Sequence, residues 1–239
     1  MAVRDKLILE IQSDVSALKK GLAQSKSEVK GFSSSLKKIG GLVAGAFAID
    51  QITSFGRAVF DTTAEFQKFE AVLTNTLGSG SAARNALSNI EEFASKTPFS
   101  VAQLTDSFVK LANQGFRPTT NEMRKLGDLA SSTGKDFDQL AEAIIDAQTG
   151  EFERLKEFGI RASKQGDQVK FTFKEVETQV DFTADSIRDY VLSLGDAEGV
   201  SGAMNAISKT LGGQVSNLGD SFDTLKRALG SEFQGAMST

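Results

Sequence analysis

Five consecutive heptads near the amino terminus constrain this chain more than any other feature it carries. Val15, Leu22, Val29, Leu36 and Val43 recur every seven residues, and Leu18, Ser25, Phe32, Ile39 and Ala46 follow each of them by three. A straight 3.6-residue helix would carry such positions steadily off one line, so a stripe held this long specifies a helix that winds against a neighbour. A narrow stripe also suits a partner helix better than a broad globular core. Gly21, Gly31, Gly40 and Gly41 oppose it, each weakening a helix interior by about 1 kcal/mol relative to alanine. Self-association is therefore expected through Val15, Leu18, Leu22, Val29, Phe32, Leu36, Ile39 and Val43, with packing inside a single molecule as the alternative.

The rest of the chain predicts a mainly α-helical protein. Leu7, Leu9 and Ile11 alternate with Ile8, Glu10 and Gln12, which predicts a short strand within residues 1–12. Ser13 or Asp14 can cap the helix that follows, and the helical arm runs over residues 13–77. Unbroken from Asp14 to Phe47, it would be about 50 Å long. Near Asp50 the apolar frame shifts to Phe55, Val59, Thr62, Phe66, Phe69 and Leu73. Gly78-Ser79-Gly80-Ser81 then reads as a linker.

A compact multi-helix domain is predicted over residues 82–195. Its helices carry apolar faces at Leu87, Ile90 and Phe93, at Leu104, Phe108 and Leu111, at Met123, Leu126 and Leu129, and at Phe137, Leu140 and Ile144. Ser100 with Gln103, Thr119 with Glu122 and Asp136 with Gln139 have the spacing of capping boxes, and Gly115 and Gly134 are placed as stops. Val169, Phe171 and Phe173 alternate with polar residues after Gly166-Asp167, predicting a small β-hairpin near residues 160–174 that must lean on the helices. A C-terminal helix over residues 200–239 has a second stripe at Leu211, Val215, Leu218, Phe222, Leu225 and Leu229. It reaches residue 239 without a stop signal, which suggests a longer helical protein.

The residue types leave little room for chemistry. With no histidine, cysteine or tryptophan among 239 residues, a Ser-His-Asp triad, thiol catalysis, disulfides and metal sites of ordinary composition are excluded. No cofactor is expected. A pair of carboxylates is what remains for hydrolysis, with Glu91, Glu92, Asp106 and Glu122 as candidates, and their spacing reads as solvated helix faces and caps. Twenty-seven basic against 31 acidic residues give a net charge of −4, the wrong balance for a nucleic-acid surface. Absence of cysteine fits a reducing compartment. The apolar run Ile39–Ile49 is shorter than the roughly 20 residues that cross a bilayer. Its Gly-Ala richness leaves a membrane-active translocator or pore-former as an alternative role, with membrane contact possible but not favoured.

Two central segments carry a resemblance. Phe93-Ala-Ser-Lys-Thr-Pro-Phe-Ser-Val-Ala-Gln-Leu104 with Phe108–Gly115, and the run Ala147–Ile160, resemble the conserved pattern of phage tail tape measure proteins. Val215–Leu225 is similar to the helix that follows that pattern, so the likeness covers roughly residues 55–233. It implies that Thr97, Pro98, Phe99, Leu104, Leu111, Gly115, Gly150, Leu155, Phe158 and Gly159 belong to the family motif. It also implies a structural role in phage or prophage tail assembly, in which helical length sets how many rings of tube protein polymerise. Implied partners are further copies of the chain, tail-tube proteins, tail-tip or baseplate proteins and tail assembly chaperones, first in the host cytoplasm and then in the virion tail. Some large members of that family carry cell-wall hydrolase domains, which keeps the carboxylate reading as a second alternative. Even wholly helical, 239 residues reach at most ~360 Å, so the measuring section itself is expected to lie elsewhere.

Overall fold

A computed structural model describes residues 49–210 and positions 219, 220, 223, 224, 226 and 227. The strand expected within residues 1–12, the whole Val15–Val43 stripe and the second stripe from Leu211 to Leu229 lie outside the described residues. The compact body begins at Arg57. Among the described residues it is mainly α-helical: seven helices, one 3₁₀ segment and one small antiparallel sheet.

Helix α1 spans Ile49–Leu77 and α2 spans Gly80–Ala94. Thr62, Phe66, Phe69 and Leu73 step by four, three and four along α1 and are all buried, as an inward stripe requires. The Gly78–Ser81 run is not a linker. Gly78 turns the chain with φ 70°, Ser79 caps α2 by accepting from the Ala82 N–H, and these two residues are the whole connection.

Helices α3 (Val101–Asn113), α4 (Thr120–Ser132) and α5 (Phe137–Thr149) each open on an oxygen-bearing residue. Ser100 accepts from the Gln103 N–H at 3.2 Å, the reciprocal bond from the Gln103 side chain not being formed. Thr119 and Glu122 complete a capping box at 3.3 and 2.7 Å, and Gln139 accepts from the Asp136 N–H at 3.1 Å. Each of the three closes in the same way. After α3, Phe116 N–H donates to Leu111 C=O and Gly115 N–H to Ala112 C=O, both at 3.0 Å. That double closure needs a left-handed residue between the two donors, which Gly115 supplies at φ 82° without the penalty a Cβ would incur.

Helix α5 lies at the centre, packed by α3, α4, the 3₁₀ segment Arg154–Phe158 and helix α6 (Ala184–Leu194). Ala141, Ala143, Ile144 and Ala147 are fully buried on it. A short helix α7 (Ala203–Ser208) packs on α4. It ends at Ser208, so residues 200–210 do not form one continuous helix.

The predicted two-stranded hairpin is a three-stranded sheet of order β1 (Ile160–Gln165), β2 (Gln168–Phe173) and β3 (Val176–Asp181). Its inner face, Val169, Phe171 and Phe173, is buried, and Phe171 stacks on Tyr190 of α6 with ring centroids 4.3 Å apart. A third strand makes physical sense, because a two-stranded hairpin is marginal whereas three strands with an apolar face packed on helices are stable.

Two glycines admit close backbone approach. A Cβ at Gly195 would sit 2.4 Å from the Lys125 carbonyl oxygen and 2.6 Å from Lys125 Cα, so α6 and α4 meet there only because it is absent. At Gly127 a Cβ would meet the Met204 thioether at 2.7 Å and the Phe99 ring at 3.3 Å. Gly195→Ala is expected to cost about 2–3 kcal/mol, and Gly127→Ala less, because a methionine side chain moves aside and a helix backbone does not. Urea denaturation of both variants checks the ranking.

Candidate functional site

The residues that the resemblance places in a family motif lie in the core or at chain reversals. Thr97, Phe99, Leu104, Leu111, Leu155 and Phe158 are buried and Pro98 is half-buried. Phe99 meets Phe137 edge-on, centroids 5.6 Å apart. Gly115, Gly150 and Gly159 are left-handed turns, with φ 82°, 96° and 73°. Gly150 and Gly159 bracket the 3₁₀ segment, whose Leu155 and Phe158 plug the core below α5. These residues thus come together as helix plugs and chain reversals, and present no side-chain chemistry outward.

Charge gathers at three joints that residue spacing alone did not single out. The first is buried. Asp128 lies on α4 with its side chain 3% exposed. One of its oxygens accepts from the Met204 N–H of α7 at 3.0 Å and the other pairs with Arg124 at 2.9 Å. Arg124 and Lys125 both reach Asp196, at 2.9 and 2.5 Å, beyond the end of α6. The Lys125 ammonium, with Arg124 beside it, holds the Asp196 carboxyl below the ordinary carboxylate range. The sequence signal for this joint was the i, i+4 pair Arg124/Asp128, with its acid in the middle of a helix otherwise inward at Met123, Leu126 and Leu129.

The second joint is half-exposed. Lys110 of α3 reaches Asp138 at 2.8 Å and Glu142 at 2.7 Å on α5. Arg154 pairs with Glu142 and, at 2.9 Å, with Asp146, tying the 3₁₀ segment into the same row. Hydrogen bonding from Lys110 lowers the Glu142 carboxyl.

The third joint holds positions 220 and 227 to the helical body. Asp220 accepts from the Val101 N–H at 3.4 Å, and Arg227 pairs with Glu91 at 2.7 Å while lying 4.7 Å over the Phe66 ring. Burial pushes both carboxyls up, against the pull of Arg227 on Glu91 and of the Val101 amide on Asp220.

Three of the four carboxylates nominated for hydrolysis are therefore engaged elsewhere: Glu91 by Arg227, exposed Glu92 by Lys96 at 2.7 Å, and Glu122 in the α4 cap. Asp106 is exposed on α3. Among the described residues no three acidic groups gather as a metal cage, and no helix is long and apolar enough to cross a membrane. Of the apolar run, all but Ile49 lies outside the described residues. A shallow, open depression beside the α4 cap, of about 400 Å³, is lined by Thr119, Glu122, Lys125, Asp189 and Ser193. Its charged lining residues are already engaged, Glu122 in the α4 cap, Lys125 with Asp196 and Asp189 with Arg188.

Residues 57–231 match the family described as tape measure protein. The chain is also similar to the Mu-like prophage FluMu protein gp42 of Haemophilus influenzae, at 26% identity over 243 aligned positions. That alignment covers 91% of this chain and 38% of the relative, so the chain spans well under half the length of the protein it matches. No solved structure matches.

Two outcomes follow from the joints and a third from an exposed pair outside them. Asp128→Ala is expected to cost about 1–3 kcal/mol and to speed amide exchange at Met204, because a buried helix terminus loses its acceptor. Lys96→Ala, on an exposed pair, should leave stability near wild type. Glu142 has a lowered folded value, so its contribution is present at neutral pH and is lost as pH falls from about 5 downward. Lys110→Met should accordingly flatten the acid limb of a stability-against-pH curve.

Proposed function

The chain belongs to the tape measure protein family, and from that premise we propose that it is a structural segment of a phage or prophage tail, working in assembly rather than in catalysis. The observation that carries this reading is the extent of the match. Residues 57–231 take in all of the described body, from the buried face of α1 through the third charged joint. A helical polypeptide suits length-setting because each helical residue adds a fixed ~1.5 Å. The described body, with its turns at Gly115, Gly134 and Gly150 and its sheet, is built to fold back on itself. Its part in the tail is therefore that of an anchoring head, with the ruler supplied by the further length seen in the relative.

In this reading sister copies associate through Val15, Leu18, Leu22, Val29, Phe32, Leu36, Ile39 and Val43. The assembled heads help initiate tube polymerisation with tail-tube, tail-tip or baseplate and chaperone proteins. Assembly takes place in the host bacterial cytoplasm and the product resides in the virion tail. No sequence-specific nucleic-acid contact enters, in keeping with the net charge of −4.

Sedimentation tests the self-association. Leu22→Asp with Leu36→Asp places charges at two stripe positions, where a helix seam has no means of pairing them. The double variant is expected to sediment as a monomer while its body unfolds at the wild-type urea midpoint. Unchanged sedimentation would mean that the stripe packs within one molecule.

A further inference from the structure

Where the β2–β3 turn meets the C-terminal half of α6 there is a notch of about 260 Å³, lined by Phe173, Val176, Thr178, Tyr190 and Leu194, with Lys174 and Glu198, bonded to each other, also on its wall. The Tyr190 ring, buried and stacked on Phe171, forms part of its apolar wall. Val176 and Thr178 line the notch from β3, with side chains on the same face of the sheet as Phe173 and Phe171, so it adjoins the inward side of the strand that a further strand would pair with.

Among the described residues, no strand pairs with the backbone at the outer edge of β3. Lys174 and Glu175 form the two-residue turn that closes Phe173 onto Val176. The ladder continues past the strand end, where Phe182 N–H donates to the Asp167 carbonyl at 2.8 Å. Even-numbered residues therefore turn their N–H and C=O toward β2, and Glu177, Gln179 and Asp181 turn theirs outward. Thr183 N–H takes the Asp181 carbonyl at 2.8 Å. Among the described residues, no backbone bond from another element meets the outward groups of Glu177 and Gln179.

Edge strands are ordinarily blunted by charged side chains, proline, a bulge or shortness, and of these β3 carries charge alone, at Glu177 and Asp181. This one pairs with β2 through six unbroken register positions, has no proline, and leaves Val176 65% exposed at its start. Its charges bar one occupant in particular. Antiparallel pairing of β3 with its own copy over the full strand sets Gln179 on Gln179 and Glu177 against Asp181 twice, and like charges directly opposite destabilise a ladder.

We infer that the free edge of β3 accepts an extended segment of a partner polypeptide, with an aliphatic side chain turned into the notch and lysine or arginine at the alternate positions facing Glu177 and Asp181. Main-chain hydrogen bonds to Glu177 and Gln179 supply the affinity, and the notch and the two acids supply the selection. Glu177 already pairs with Lys170 at 2.8 Å on β2, yet its side chain is 59% exposed and open to a second cation from the other side. This surface is independent of the tail role, since it would select a basic strand in any setting.

The test uses the full chain and the end-blocked peptide KTKLKIK, with ETELEIE as the charge-reversed control. Saturating KTKLKIK is expected to slow amide exchange at Glu177 and Gln179 by about tenfold or more, and ETELEIE to leave it unchanged. Gln179→Pro removes one outward N–H without touching the β2 ladder, a substitution that edge strands tolerate, and should weaken binding by about tenfold. Glu177→Lys with Asp181→Lys should invert the preference to ETELEIE, and this variant decides the matter if circular dichroism shows that Gln179→Pro has unfolded. The inference is overturned if KTKLKIK does not slow exchange, if both peptides bind alike, or if folded Gln179→Pro binds as wild type. It is also overturned if the same amides become protected with rising protein concentration and no peptide, for then the edge serves a second copy.

Discussion

Everything in the body leans on α5 being thin. Ala141 on one face and Ala143 with Ala147 on another leave α5 almost at backbone radius there, and α3, α4, α6 and the 3₁₀ segment all close on it. Phe137, Leu140 and Ile144 fill the spaces between those neighbours, each essentially without solvent contact. A central helix of ordinary bulk would push four elements outward together, and interiors packed at crystal density do not absorb such a shift locally. The same economy recurs at the two contact glycines. Gly195 lets α6 touch α4 and Gly127 lets α7 touch it, so small residues set the spacing and large phenylalanines fill what remains.

Charge works differently in this chain from the way composition suggests. A nearly balanced set of acids and bases reads as a solvated surface, and much of it is. The pairs that matter are those between elements distant in sequence: Lys110 with Asp138 and Glu142, Arg124 with Asp196, Arg227 with Glu91. Exposed pairs of this kind contribute little singly. Asp128 is the exception, since burial deprives it of water and makes its bond to the Met204 amide the means by which α7 is seated. The Glu91 and Asp220 carboxyls, raised by burial, have the opposite pH sign to Glu142. Acid therefore weakens the α3–α5 row while relieving the cost of desolvating the third joint.

The helices were legible because their signals are local. Thr119 with Glu122 and the glycine after each helix act within one turn of the chain, and periodic faces such as Leu104, Phe108 and Leu111 need no knowledge of their neighbours. Strand β3 was not legible, for an equally local reason. Val176, Thr178 and Val180 do alternate with Glu177, Gln179 and Asp181, but none of the three is buried completely, so the pattern is fainter than the Val169, Phe171 and Phe173 face that marked β2. The turn before it uses Lys174 and Glu175 at φ 46° and 66°, where a two-residue hairpin normally signals itself with Asn-Gly or Gly. Such residues incur a local cost there of about 1–2 kcal/mol each. What offsets it is tertiary: the Lys174 ammonium bonds the Glu198 carbonyl and lies 5.5 Å from the Phe173 ring centre. No window of sequence around the turn contains Glu198.

The same distinction bears on what a family motif can mean. Thr97, Phe99, Leu104, Leu111, Leu155 and Phe158 are interior, and the motif glycines are chain reversals. Residues of this kind are constrained by packing and by backbone conformation, and two proteins that share them share a body rather than a contact. Likeness carried by such positions argues for the fold of the body and is silent on what the body touches. Contacts must be sought where packing places no demand, on half-buried edges and outward backbone such as β3, where sequence is free to follow the partner instead of the core.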